Sequence, residues 1–167
     1  MSRSPVWGIT GWKNAGKTTL VERLVAEISG RGLAVSTLKH AHHGFDLDRE
    51  GADSYRHREA GAREVLIASG TRWALMRELR GAPEPSLDEL LAQMAPADLV
   101  ITEGWKRGPQ PKVEVHRPGL GRELMAPGDP TVRAVAADAD VITDRPVLDL
   151  NDVPSIADFI LDELGIG

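Results

Sequence analysis

Residues 11–18 read GWKNAGKT, a glycine, four residues, then Gly-Lys-Thr. The five residues before them, VWGIT, form a short apolar run. In the residues after them Leu20, Leu24 and Ile28 recur every four positions, with Val21 and Val25 alongside. A strand, a glycine-containing loop and a helix in that order form a cradle for phosphate. Gly11 and Gly16 let the backbone bend so that amides point inward. The helix start near Gly16 adds partial positive charge. Trp12, Lys13, Asn14, Ala15 and Thr19 complete the loop and the first helical turn. Lys17 is the ammonium expected against the terminal phosphates, and the Thr18 hydroxyl the expected Mg²⁺ ligand. The motif alone leaves ATP and GTP both open, and kinase, hydrolase and switch as well.

The rest of the chain reads as alternating strands and helices. Strands are expected at 33–38, 65–68, 73–77, 98–102, 112–116 and 132–136, with helices over 52–60, from Ser86 and around Ile156, Ile160 and Leu164. Ser86 and Glu89 match a capping box. The 98–102 segment, DLVIT, is apolar enough for the middle of a parallel sheet. KVEVH at 112–116 alternates and reads as an edge strand with one wet face. This pattern predicts a three-layer α/β fold with a mainly parallel sheet and an antiparallel edge. The 167 residues are expected to form one domain, with no repeat and no convincing linker.

Composition narrows the function. With no Cys, thiolate zinc sites, iron–sulfur clusters and cysteine nucleophiles are excluded. A net charge of −5 argues against a dedicated nucleic-acid binder. The charge is uneven, however: net +4 over residues 1–83 and −9 over 84–167. A small anionic ligand is therefore favoured by the first half. No apolar run is long enough to cross a membrane, and the N-terminus has no signal-peptide core, so a cytoplasmic protein is expected.

Further candidates follow from position. Glu103, at the carboxyl end of the 98–102 strand, is expected to hold Mg²⁺ or orient the attacking water, with Gly104 beside it. Asp98, at the other end, is expected to face away. Asp46 and Asp48, after the second strand, are rival metal ligands. Lys39 and His40 are expected at the phosphate-loop edge. With His42 and His43, His40 offers an alternative Zn²⁺ or Ni²⁺ site. Arg56 and Arg58 on a short helix suit a phosphate, or equally exposed ion pairs with Asp53 and Glu59. Trp12 and Trp105 fall in the two nucleotide-side loops. Asp138, in AVAAD, could accept hydrogen bonds from guanine N1–H and N2–H. Neither an N-K-x-D guanine motif nor a D-x-x-G switch is present.

GWKNAGKTTL, LKHAHH, DSYRHREAGA, DLVITEGWK, PKVEVHR and LDLNDVPSIADFI together resemble the MobB family of molybdopterin-guanine dinucleotide biosynthesis adaptors, in order from about Val6 to Ile160. The resemblance implies a phosphate-loop GTP-binding protein with Mg²⁺ as cofactor and weak GTP hydrolysis. It implies partnership with the guanylyltransferase that joins GMP to molybdopterin, and a homodimer. Guanine specificity rests on this resemblance. A small-molecule kinase with Arg107, Arg117 and Arg122 as a lid is the rival reading, followed by a binding module without turnover and a metallochaperone using His40, His42 and His43.

Overall fold

The computed structural model describes residues 4–41 and 44–167. The chain, read from its sequence as one domain, separates into two compact units: residues up to 40 together with 95–167, and residues 41–94.

The larger unit is built on six strands: β1 (Val6–Thr10), β2 (Val35–Lys39), β5 (Leu99–Glu103), β6 (Lys112–His116), β7 (Val132–Ala137) and β8 (Val147–Asp149). Their order is β2-β5-β1-β6-β7-β8, and every pairing is parallel. Helices α1 (Lys17–Gly30) and α4 (Val153–Leu164) pack together. Leu20, Leu24 and Ile28 of α1 and Ile156 and Ile160 of α4 join Trp7, Ile9, Leu99, Ile101, Val113 and Val115 in one buried core. Each such aliphatic side chain contributes about 1.5–3 kcal/mol by leaving water. In β7 the period-two rule divides the side chains. Ala134 and Ala136 join that core, whereas Val135 and Ala137 pack with Ala126 in a second cluster. Asp152 caps α4 by accepting from the Ser155 amide at 3.1 Å.

The 41–94 unit contains α2 (Asp53–Glu59), the antiparallel ribbon of β3 (Glu64–Ala68) and β4 (Trp73–Arg77), and α3 (Leu87–Leu91). The capping box at Ser86 and Glu89 is formed in both directions. The antiparallel element, expected at the edge of the main sheet, is this separate two-stranded ribbon.

The reading of β6 as an edge strand is corrected. It lies between β1 and β7, and all five of its residues are buried. Two of its alternating polar residues, Lys112 and Glu114, face specific partners rather than water. Lys112 Nζ donates to the Gly108 carbonyl at 2.6 Å, the Gln110 carbonyl at 3.2 Å and Thr131 Oγ1, and lies 3.7 Å from Asp129 Oδ2. The Glu114 carboxylate accepts from the amides of Met125 and Ala126 at 2.8–3.0 Å. A register irregularity between Lys112 and Val113, absorbing Arg133 of β7, accompanies this network. The short β8 was not anticipated: three residues carry too little pattern to read.

Candidate functional site

Strands β1, β5 and β6 are adjacent and parallel, so the segments that follow them leave the sheet at one edge. After β1 comes the 11–16 loop. Gly11 has φ +141°, and a Cβ there would lie 2.5 Å from the Val115 carbonyl oxygen of β6. Only glycine lets the loop start this close to its neighbour. Asn14 also takes a positive φ, +66°. Gly16 is the N-cap of α1 in the left-handed region, and no side chain caps the helix. No acidic residue sits in its first turn. Leading amides that a side chain would otherwise satisfy are thus left to an incoming acceptor.

Lys17 folds back over the loop, donating to the carbonyls of Gly11 at 3.0 Å and Trp12 at 2.8 Å. Its ammonium is held below its ordinary 10.5 by burial first, then by the neighbouring Lys106, with Glu103 opposing and Lys39 adding to the depression. A bound polyanion would relieve that repulsion.

Glu103 is the buried last residue of β5. Thr18 Oγ1 donates to its Oε1 at 2.6 Å, and Lys39 Nζ of the neighbouring strand lies 3.8 Å from the same oxygen. One hydroxyl and one carboxylate, hard oxygen donors side by side, suit Mg²⁺ that takes its remaining ligands from phosphate and water. Gly104 has φ +87°, and a Cβ there would lie 2.8 Å from the His40 carbonyl oxygen. The His40 amide in turn donates to the Glu103 carbonyl at 2.9 Å.

The two loop tryptophans sit where the sequence placed them. Trp12 Nε1 donates to the Glu123 carbonyl at 2.7 Å, and its ring carries Lys106 Nζ at 5.1 Å and Arg122 Cζ at 5.7 Å. Trp105 packs against His40 with ring centroids 4.8 Å apart. Lys13 and Thr19 are exposed, and Ala15 is buried beneath the loop. Asp138 follows β7 and is bound by Arg117, whose Nη1 donates to Oδ2 at 2.6 Å. Asp98 faces away as expected, accepting from the Ala34 amide at 2.7 Å.

Sequence candidates on the 41–94 unit form their own network. Arg58 donates to Asp48 (2.7 and 3.3 Å), Glu78 (2.9 Å) and Asp46 (3.2 Å), not to Asp53 and Glu59. That bonding holds the Asp48 carboxyl below its ordinary range. Arg56 is exposed on α2. His42 and His43 lie outside the described residues, so the proposed His40, His42 and His43 metal site does too. Among the described residues no three His, Asp or Glu side chains gather into a metal site.

Two contributors were missed. Lys106 lies in the EGWK segment but carries no motif signal of its own. Arg117 was considered only as part of a lid, although it ends PKVEVHR directly after β6.

Comparison with known proteins identifies the family. The sequence model of MobB, molybdopterin guanine dinucleotide synthesis protein B, matches residues 6–138. A molybdopterin-guanine dinucleotide biosynthesis adapter protein of Haemophilus influenzae is 45% identical over 159 residues, covering 93% of this chain and 87% of that one. Its Escherichia coli counterpart is 38% identical over 163 residues, covering 95% and 92%. The crystal structure of Bacillus subtilis MobB superposes with a TM-score of 0.74 at 27% identity, covering 95% of this chain and 97% of that one. A family model that matches through all but the last strand and helix, and relatives 45% and 38% identical along nearly the whole length, lead to one conclusion: the chain belongs to the MobB family.

Proposed function

We propose that the chain is an adapter in molybdopterin guanine dinucleotide biosynthesis that binds GTP with Mg²⁺ at residues 11–18 and hydrolyses it slowly. The adapter role is supported by family membership and by the relatives at 45% and 38% identity. The observation that carries nucleotide binding is the uncapped start of α1 with Lys17 folded over its own loop carbonyls.

In this reading Lys17 exchanges two carbonyl acceptors for phosphate oxygens, a charge-assisted and stronger partnership. Thr18 and Glu103, bonded to each other at 2.6 Å, are the residues that would hold Mg²⁺. Mg²⁺, when bound, neutralises charge on the phosphates. Lys39 and Lys106 add fixed positive potential, worth most where water is excluded. Asp138 reads the guanine edge. With Thr102-Glu103-Gly104 standing where a D-x-x-G switch would be, Glu103 is the residue that orients water. Slow turnover suits an adapter whose loops after Leu38 and Thr102 are ordered by ligand and released by hydrolysis.

The partner is the guanylyltransferase that acts on molybdopterin, and the compartment is the cytoplasm. The proposed assembly is a homodimer. Leu66, Trp73 and Leu75 share one face of the β3–β4 ribbon and are each more than 40% exposed, an apolar surface suited to another copy of this chain.

Single-turnover hydrolysis of GTP, with and without the guanylyltransferase, tests the reading. Slow release of phosphate that changes when the transferase is added is expected. Transfer of the phosphoryl group to a small acceptor instead would favour the kinase and contradict it.

A further inference from the structure

Arg117 and Asp138 leave the sheet side by side. His116 of β6 pairs with Ala137 of β7 in parallel register, and the next residue on each strand is the one in question. The Arg117 guanidinium spans two elements. Its Nε donates to the Ala15 carbonyl inside the phosphate loop at 2.9 Å, and its Nη1 donates to Asp138 Oδ2 at 2.6 Å. Its Nη2 lies 3.3 Å from where a Cβ on Gly16 would be, so the fork lies against the N-cap of α1.

We infer that Arg117 is a positioning residue for base recognition: it ties the carboxylate of Asp138 to the phosphate loop, so that guanine preference depends on both. The inference rests on the proposed reading of the site as one for a guanine nucleotide. A guanidinium presents its donors in a rigid plane, so two acceptors bound to one fork are fixed relative to each other. A carboxylate has about four acceptor directions, and the bond to Arg117 leaves capacity for guanine N1–H and N2–H. Arg117 also neutralises a carboxylate that would otherwise repel a polyphosphate nearby. Lysine keeps that charge and loses the fork, which separates orientation from neutralisation.

The test measures affinity for Mg·GTP, Mg·ATP and inorganic tripolyphosphate in the wild type, Arg117→Lys, Asp138→Asn and the double variant. Arg117→Lys is expected to weaken GTP about tenfold, because a site built to bond a polar edge loses most when that bond is misplaced. ATP and tripolyphosphate should change by less than about twofold, and the double variant should bind GTP no more weakly than Asp138→Asn alone. Retained tripolyphosphate binding shows that the variant is folded. Equal losses for all three ligands would make Arg117 a structural support and overturn the inference. Unchanged GTP binding in Arg117→Lys, or strictly additive losses in the double variant, would overturn it as well. If the wild type binds none of the three, the phosphate site itself fails and the inference with it. If the wild type binds GTP and only the Arg117 result is negative, the inference fails alone.

Discussion

The two strands that flank β1 are buried alike and written in opposite chemistry. β5 is Leu-Val-Ile-Thr-Glu; β6 is Lys-Val-Glu-Val-His. In β5 three apolar residues and Thr102 precede Glu103, the one carboxylate, at the end facing the 11–16 loop. In β6 two charged side chains lie inside the sheet, each with partners from outside the strand. Lys112 is held through Thr131 and Asp129, and Glu114 through the amides of Met125 and Ala126. Both strands deliver a charged residue to the site edge, Glu103 from one and Arg117 just after the other. The difference shows that a charge in a central strand is compatible with burial when its partners are fixed, and that placing such partners orders the loops that carry them.

Removing one side of that arrangement should have the largest effect. Lys112→Met leaves two carbonyls without this donor, and leaves Asp129, which keeps its bonds from Thr131, without its cation. A loss of about 2 kcal/mol in denaturant-unfolding stability is expected, from leaving these acceptors unsatisfied. In β5, Ile101→Val removes one methylene from the core and should cost only about 1 kcal/mol. Equal costs at the two positions would erase the contrast between the strands.

A smaller effect contrasts two lysines. Lys112 and Lys17 are both held below their ordinary value by burial, but Lys112 faces Asp129, whereas Lys17 faces Lys106 and Lys39 as well as Glu103. Binding a polyphosphate favours the charged form of Lys17, so its value in the complex is higher than in the free protein. Affinity is therefore full below the depressed free value and falls as pH rises through it toward the higher value in the complex. Tripolyphosphate titrations across alkaline pH should show this decline in the wild type and not in Lys17→Ala. A flat wild-type profile would place the lysine away from the ligand.

Much of the fold was legible because it rests on local pattern. β1, β4 and β6 have the expected bounds, and the helix after the loop starts one residue past the expected Gly16. The environment of β6 was not legible. Period-two alternation reports which side chains share a face, but not whether that face meets water or a partner such as Asp129. The same limit applies at the site. Gly11, Gly16, Lys17 and Thr18 are consecutive enough to form a motif, and Glu103 follows from its place at a strand end. Arg117 acts across adjacent strands through a register the sequence does not display, and Lys106 reaches Trp12 and Lys17 from another loop. Arg58 pairs with Asp48 and Glu78, up to twenty residues away, rather than with its helical neighbours, because the turn of the chain and not sequence spacing sets those distances.

Calorimetric titration of the wild type and Lys17→Ala with Mg·GTP at neutral pH bears most directly on the claim that this edge of the sheet is a nucleotide site. The wild type should bind, and the variant should keep its fold while losing affinity by about a hundredfold, the scale of a charge-assisted contact to phosphate. A wild type that takes up no Mg·GTP, or a variant that binds it as tightly, would contradict the account.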